Sequence, residues 1–144
     1  MVTAIPDEMT FVIIKPDALE RGLMGEIIKR IENTYLRIAN VQMRHKTQDW
    51  AAVHYAEHKE RDFYKRLCDF MTSAPLVGFT ITGPDAVPRI RRLIGSTVDP
   101  LPGTVRGDYG HGMYNLVHAS ASTLEADVEI PAFYDSGTDR SELP

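Results

Sequence analysis

The spacing of its apolar segments predicts an α/β (α+β) fold for this chain, of the ferredoxin-like split βαβ type: a four-stranded antiparallel sheet with helices packed on it. Two observations carry that class. Strand-like and helix-like stretches follow one another in the order β-α-β, helices, β-α-β-α, and a doubly wound sheet would need more strands. The 144 residues also suit one domain, long enough to bury roughly 68–70% of its unfolded surface in a single core. The single domain is expected to span residues 1–144, with its core at about 9–134 and a polar, frayed tail over 135–144, "DSGTDRSELP".

Taken in order, "MTFVIIK" (Met9–Lys15) is a β-branched, apolar run stopped by Pro16, which puts Lys15 at a strand end. In "RGLMGEIIKRIEN" the residues Leu23, Ile27 and Ile31 recur every fourth position, with Met24 and Ile28 beside them, as a core-facing helical stripe does. "LRIANVQMRHK" alternates Ile38, Val41 and Met43 imperfectly and predicts a second strand. "TQDWAAVHYAEH" and "ERDFYKRLCDFMT" predict consecutive helices, the first capped by Thr47 or by Gln48-Asp49. "PLVGFTIT" is a third strand, and "DAVPRIRRLIG" a helix with Pro88 in its first turn and Gly95 at its end. A loop bearing Gly and Pro follows from Ser96 to about Met113, then a last strand at "YNLV". A short final helix opens on the capping-box signature "STLE" (Ser122–Glu125).

Composition narrows the function classes. The 43% hydrophobic and 25% charged fractions are those of an ordinary globular protein, and no apolar run approaches the roughly 18 residues of a membrane helix. The start "MVTAIPDEMTF" lacks the basic segment, apolar stretch and small-residue cleavage site of a signal peptide, so a cytoplasmic location is expected. Cys68 is the only cysteine, which excludes an intrachain disulfide and a thiolate zinc cluster; in "RLCDFM" it is a small buried helix residue. A net charge of −4 argues against nonspecific binding to nucleic acid. Positive charge is nonetheless concentrated locally, at Arg89, Arg91 and Arg92 and at Arg106, which leaves a small anionic ligand as the partner to consider.

Three motifs offer chemistry, each with a plainer alternative. "PGTVRGDYGHG" holds Thr104, Arg106 and Asp108 among glycines whose backbone N–H groups can approach a phosphate while the guanidinium grips it; no Gly-Lys-Ser/Thr follows, so it is not a Walker loop. The alternative is a structural loop. "YNLVHASAS" carries a lone imidazole, His118, just before a helix N-terminus, where phosphate gains from the partial positive charge. Asn115 and His118 would face opposite ways in a continuous strand, so both serve one site only if the strand ends or bends between them. Glu129, near the end of the short final helix, could orient the ring. A half-buried histidine satisfied by Asn115 or Ser120 is the alternative. "HYAEH" (His54–His58) matches H-x-x-E-H, with two histidines one helical turn apart and Glu57 as a base, a zinc spacing set against a solvated helix face.

Together "TFVIIKPDALERGLMGEIIKRIE", "HYAEHKERDFY", "PGTVRGD" and "NLVHAS", in this order, resemble the nucleoside diphosphate kinase family over about Thr10 to Phe133. The resemblance implies transfer of a γ-phosphate from nucleoside triphosphates to nucleoside diphosphates, ping-pong, through a phosphohistidine at His118. Glu129 would hold the ring's other nitrogen, Tyr55 would place a hydroxyl near it, and Ser120 would join the Glu129 network. Lys15 would reach phosphates and ribose, Arg61, Arg91 and Arg106 would grip phosphate oxygens, and Thr97 would hydrogen-bond among them. Asn115 would contact the sugar. Phe63 would stack on the base, and stacking tolerates any base. Mg2+ would travel on the phosphates, without a dedicated protein cage. A homo-oligomer, tetramer or hexamer built from dimers, is also implied.

The chain departs from the family pattern in three places. Ala119 and Ala121 stand where Gly and Asp are commoner, "STVDPLPGTVRGD" is a shorter loop, and the end at "SELP" lacks an aromatic closing segment. Two other functions compete: a metallohydrolase using His54, Glu57 and His58, and a non-catalytic oligomeric scaffold or nucleotide-binding regulator. The intact set Lys15, Arg91, Arg106, Asn115, His118 and Glu129 argues against the last.

Overall fold

A computed structural model describes residues 5–141. Strands β1 (Asp7–Ile14), β2 (Arg37–Arg44), β3 (Leu76–Pro84) and β4 (Val117–Ala119) form one sheet in the order β2-β3-β1-β4, with every pairing antiparallel. The helices are α1 (Pro16–Glu20), α2 (Met24–Glu32), α3 (Gln48–His54), α4 (Tyr64–Met71), α5 (Ala86–Ile94), α6 (Val105–Tyr109) and α7 (Thr123–Tyr134).

Alternation along β1 explains the layering. Val12 and Ile14 pack with Ile27 and Ile31 of α2 and with Ile90 and Ile94 of α5. Phe11 and Ile13 point the other way, into Trp50 of α3, Leu67 and Met71 of α4, and Ala126 and Phe133 of α7. Helices therefore cover both faces, which is why "FVII" is apolar at every position rather than at every second one. The Val, Ile, Phe and Met side chains among these are fully buried and contribute about 1.5–3 kcal/mol each. Cys68 lies inside the second layer, as its helix position predicted.

Several elements differ from the sequence expectation, each for a local reason. The imperfect alternation of the second strand is a β-bulge: pairing with β3 shifts between Ala39 and Gln42, and Asn40 takes the left-handed conformation at φ 55°. The helix expected over Thr47–His58 is capped by Thr47, whose hydroxyl accepts from the Trp50 N–H, but it ends at His54. A single 3-10 turn, Ala56–His58, follows, so His54 and His58 do not share a helix face. The loop after Gly95 contains α6, capped by Thr104. The last strand is Val117–Ala119, not Tyr114–Val117, because Leu116 turns to φ 76° and its N–H is taken by the Asp17 carboxylate. Nor is the final helix short: α7 continues through Pro131 to Tyr134, held by the buried Phe133, and Glu129 lies in its middle.

The tail is anchored rather than frayed as far as it is described. A 3-10 turn at Ser136–Thr138 leads to Asp139, which bridges to Lys46 through the backbone and receives both the Lys46 ammonium (2.6 Å) and the Arg44 guanidinium (2.6 Å). Lys46 is completely buried, and its ammonium also donates to the carbonyls of Phe133 and Asp135. Residues 142–144 lie outside the described residues. Asp139→Ala leaves this ammonium buried without its counter-charge, and the fold should lose about 3 kcal/mol. Urea denaturation of the two proteins measures it.

Candidate active site

The register of β4 decides where His118 points. It lies opposite Ile13, so it shares the side of the sheet covered by α3, α4 and α7. There its Nε2 meets Glu129 Oε2 at 2.9 Å. The other oxygen of Glu129 accepts from the Ser120 hydroxyl at 2.5 Å, so the carboxylate is fixed at both ends. Burial pushes the Glu129 carboxyl above its usual range. Burial, then the charges of Lys15 and Arg106, hold the imidazole of His118 well below its ordinary 6.5, so the ring is neutral at physiological pH.

The left-handed turn at Leu116 brings Asn115 to the same place. The Leu116 carbonyl accepts from the Lys15 N–H, and Lys15 Nζ donates to Asn115 Oδ1 at 2.8 Å. The bend required between Asn115 and His118 is thus a single residue. Lys15 is buried, and burial followed by the charge of Arg106 lowers its ammonium to about 8, against an upward pull from Asp17.

Arg106 comes from α6. Its guanidinium donates to the carbonyls of Gly95 (2.9 Å) and Val117 (2.6 Å), while its Nε, also buried, has no partner among the described residues. Gly95 can present that carbonyl because it sits at φ 94°. Burial and then neighbouring Arg91 lower the Arg106 guanidinium to about 10. Arg91 reaches the Ala119 carbonyl at 3.3 Å. The Tyr55 hydroxyl is also buried without a partner among the described residues. Two unsatisfied donors beside two cations are what a bound oxyanion would complete.

One cleft of about 680 Å³ is lined by Lys15, Tyr55, Phe63, Arg91, Thr97, Arg106, Asn115 and His118. Ser120 and Glu129 stand behind the ring. Arg61 does not line the cleft; it is an exposed residue in the turn before α4, where its backbone N–H bonds the His58 carbonyl. The H-x-x-E-H reading is corrected: Glu57 approaches His58 at 3.5 Å, whereas His54 turns inward to Glu129 at 3.8 Å. Sequence reasoning missed Asp17 altogether. Its signal was the Pro-Asp pair after Lys15, a helix start that placed a carboxylate one turn from the strand end.

A four-stranded antiparallel sheet covered by helices on both faces, holding a neutral histidine between a carboxylate and a cationic cleft, defines an α+β protein with a histidine-centred cleft suited to an anion. Comparison with known proteins makes this specific. The family model described as nucleoside diphosphate kinase matches residues 8–138. A nucleoside diphosphate kinase from Rhodococcus erythropolis is 48% identical over 132 residues, covering 88% of this chain and 94% of the relative. The solved structure of a halophilic nucleoside diphosphate kinase from Halobacterium salinarum, in complex with CDP, superposes with a TM-score of 0.84 at 37% identity, covering 96% of this chain and 94% of that one. A nucleoside diphosphate kinase family protein from Babesia bovis gives 0.83 at 38% identity, covering 95% of each. The chain belongs to the nucleoside diphosphate kinase family.

With its proton held only to about pH 8, the Lys15 ammonium is expected to govern the pH behaviour of this cleft. Affinity for inorganic pyrophosphate, followed by calorimetry, should fall as pH rises through about 8 and Lys15 loses its proton. Asp17→Asn removes the negative charge that holds the proton on, so the fall should move to lower pH. An unmoved fall would mean that Lys15 does not control it.

Proposed function

We propose that this chain transfers the γ-phosphoryl group of a nucleoside triphosphate to a nucleoside diphosphate by a ping-pong route, with His118 as the nucleophile. The observation that carries this reading is the 2.9 Å contact between His118 Nε2 and Glu129 Oε2, on a ring that lines a cleft with Lys15, Arg91 and Arg106. Donating Nε2–H to the carboxylate leaves the lone pair on Nδ1. Nδ1 attacks the γ-phosphorus, the bond from that phosphorus to the bridging oxygen breaks, and the diphosphate leaves. The ring then carries a positive charge that Glu129 stabilises through the same hydrogen bond. A terminal oxygen of the second diphosphate attacks the phosphorus, the N–P bond breaks, and the ring returns neutral. The two halves mirror each other, so one site serves both nucleotides.

The remaining roles are positional. Lys15, Arg91 and Arg106 meet phosphate oxygens, each charge-assisted bond being worth about 1.5–3 kcal/mol. The unpartnered Tyr55 hydroxyl and Arg106 Nε supply further donors, and Thr97 lies among them. Ser120 keeps Glu129 aimed. Asn115, already tied to Lys15, adjoins the sugar. Phe63, half-buried beside His58 with ring centroids 5.6 Å apart, offers an aromatic face to any base. Arg61 would have to swing in from the turn before α4 to reach a phosphate.

Among the described residues, no Asp or Glu lines the cleft. That donor set fits Mg2+ carried on nucleotide phosphates and water rather than caged by the protein; bound there, the ion would neutralise part of the phosphate charge. A homo-oligomer built from dimers is supported by the edge strand β2, which exposes Val41 and Met43. A cytoplasmic setting fits a chain in which, among the described residues, no helix is long and apolar enough to cross a membrane.

Incubation with triphosphate labelled at the γ-position should leave acid-labile label on the protein that departs when diphosphate is added. His118→Gln should abolish it; persistent label would overturn the mechanism. Glu129→Gln keeps the shape but loses the negative charge that steadies the phosphorylated ring, and should lower kcat by roughly 10²-fold with KM less affected.

A further inference from the structure

Behind His118 lies a second cavity, of about 350 Å³, between α3 and α7. Its wall carries the carboxylates of Glu57, Glu125 and Glu129 and the imidazole of His54, with no Lys or Arg. The front cleft is opposite in character, with three cations and no carboxylate. Between the two stands a partition made of His54, His118 and Glu129. One ligand atom from each of these lies within 4.8 Å of the others.

The partition has the composition of a zinc site. Two imidazoles and a carboxylate are a known catalytic-zinc donor set, with ligand bonds of about 2.0–2.2 Å and donor atoms therefore roughly 3.3 Å apart. Here Glu129 Oε2 lies 2.9 Å from His118 Nε2 and 3.8 Å from His54 Nδ1. Ser120 occupies Oε1, which turns Oε2 toward both rings. His54 is held by stacking on Trp50, with centroids 4.9 Å apart and planes 16° from parallel. Imidazole donors favour zinc-type ions over magnesium, which prefers oxygen.

We propose that His54, His118 and Glu129 form an inhibitory site for a zinc-type divalent cation, reached from the acid-lined cavity between α3 and α7. As a regulation of the same histidine, it rests on the kinase function proposed above. Inhibition follows from tautomerism. Ligation uses the Nε2 lone pair, so the proton that Nε2 had donated to Glu129 moves to Nδ1. The ring stays neutral, but Nδ1, now carrying a hydrogen, cannot attack phosphorus. Metal and phosphoryl acceptance exclude one another without sharing a nitrogen.

The test uses the nucleotide-free protein, so that metal held by phosphates plays no part. Titration with Co2+, followed by its visible absorption, and with Zn2+, followed by calorimetry, should give one ion per chain. Zinc should inhibit the kinase at fixed excess Mg2+, reversibly on chelation. His54→Gln, its fold checked by circular dichroism, should weaken Zn2+ binding and raise the inhibitory midpoint by more than about tenfold. Failure of wild-type protein to bind one ion would overturn the site, as would unchanged binding by folded His54→Gln. Stoichiometric binding without inhibition would overturn the regulatory role. Failure of the kinase function itself would appear separately, as absence of γ-phosphate label on metal-free protein, which the cobalt spectrum does not depend on.

Discussion

A left-handed leucine sets the geometry on which the candidate site depends. Leu116 at φ 76° costs about 1–2 kcal/mol relative to ordinary backbone, and a leucine has none of glycine's freedom to adopt it cheaply. Two hydrogen bonds offset the strain: the Asp17 carboxylate accepts from the Leu116 N–H, and the Leu116 carbonyl accepts from the Lys15 N–H. A charge-assisted bond of this kind contributes about 1.5–3 kcal/mol, enough to hold the turn. Its consequence is spatial. Without it Asn115 and His118 would leave opposite faces of β4; with it, the side chain bonded to Lys15 and the imidazole bonded to Glu129 border one cleft.

The electrostatics of the region then divide along the imidazole. Lys15, Arg91 and Arg106 lie on the cleft side, and Glu129 with Glu125 and Glu57 on the other. A neutral ring between a cationic cleft and an acidic backing can take a positive charge in the proposed mechanism, because the carboxylate behind it is already fixed by Ser120. The same arrangement keeps a second imidazole, His54, within reach of the same oxygen. Burial, then the charge of His118, lowers His54 far below its ordinary 6.5, so it adds no positive charge of its own at neutral pH.

Much of this was legible in residue order. "FVII" and "PLVGFTIT" are apolar or β-branched runs and "VPRIRRLIG" an amphipathic one, each bounded by Pro or Gly or a residue beside one, and each lies in the element expected of it. What escaped detection depended on contacts distant in sequence. The end of α3 at His54 coincides with the inward turn of that ring, stacked on Trp50 and 3.8 Å from Glu129, 75 positions away by residue number, a contact no helix propensity contains. The late start of β4 reflects Asp17, and the order of the tail reflects Lys46. In the last two a buried charged group found a partner across the fold, and local pattern gave way to it. The bulge in β2 is intermediate: imperfect alternation announced a defect, while its position at Asn40 became readable only through the pairing with β3.

Ala119 and Ala121 stand beside the proposed nucleophile at the positions where the resemblance implied Gly and Asp, and their geometry bears on whether a glycine is needed there. Ala119 is paired with Val12 in regular register and is buried, and neither alanine adopts a positive φ. Glycine's conformational freedom would therefore be unused at 119, and its extra unfolded-state entropy would cost roughly 0.4–1 kcal/mol. At 121 the backbone N–H donates to Glu125 Oε2 at 2.8 Å, while Ser122 accepts from the Glu125 N–H, so the cap of α7 is complete without a side chain at 121. An aspartate there would add a negative charge close to the Glu125 carboxylate that holds this turn. The alanines thus fit the backbone that β4 and α7 impose, and the chemistry proposed for His118 draws on the Ala119 carbonyl that holds Arg91 but on neither side chain.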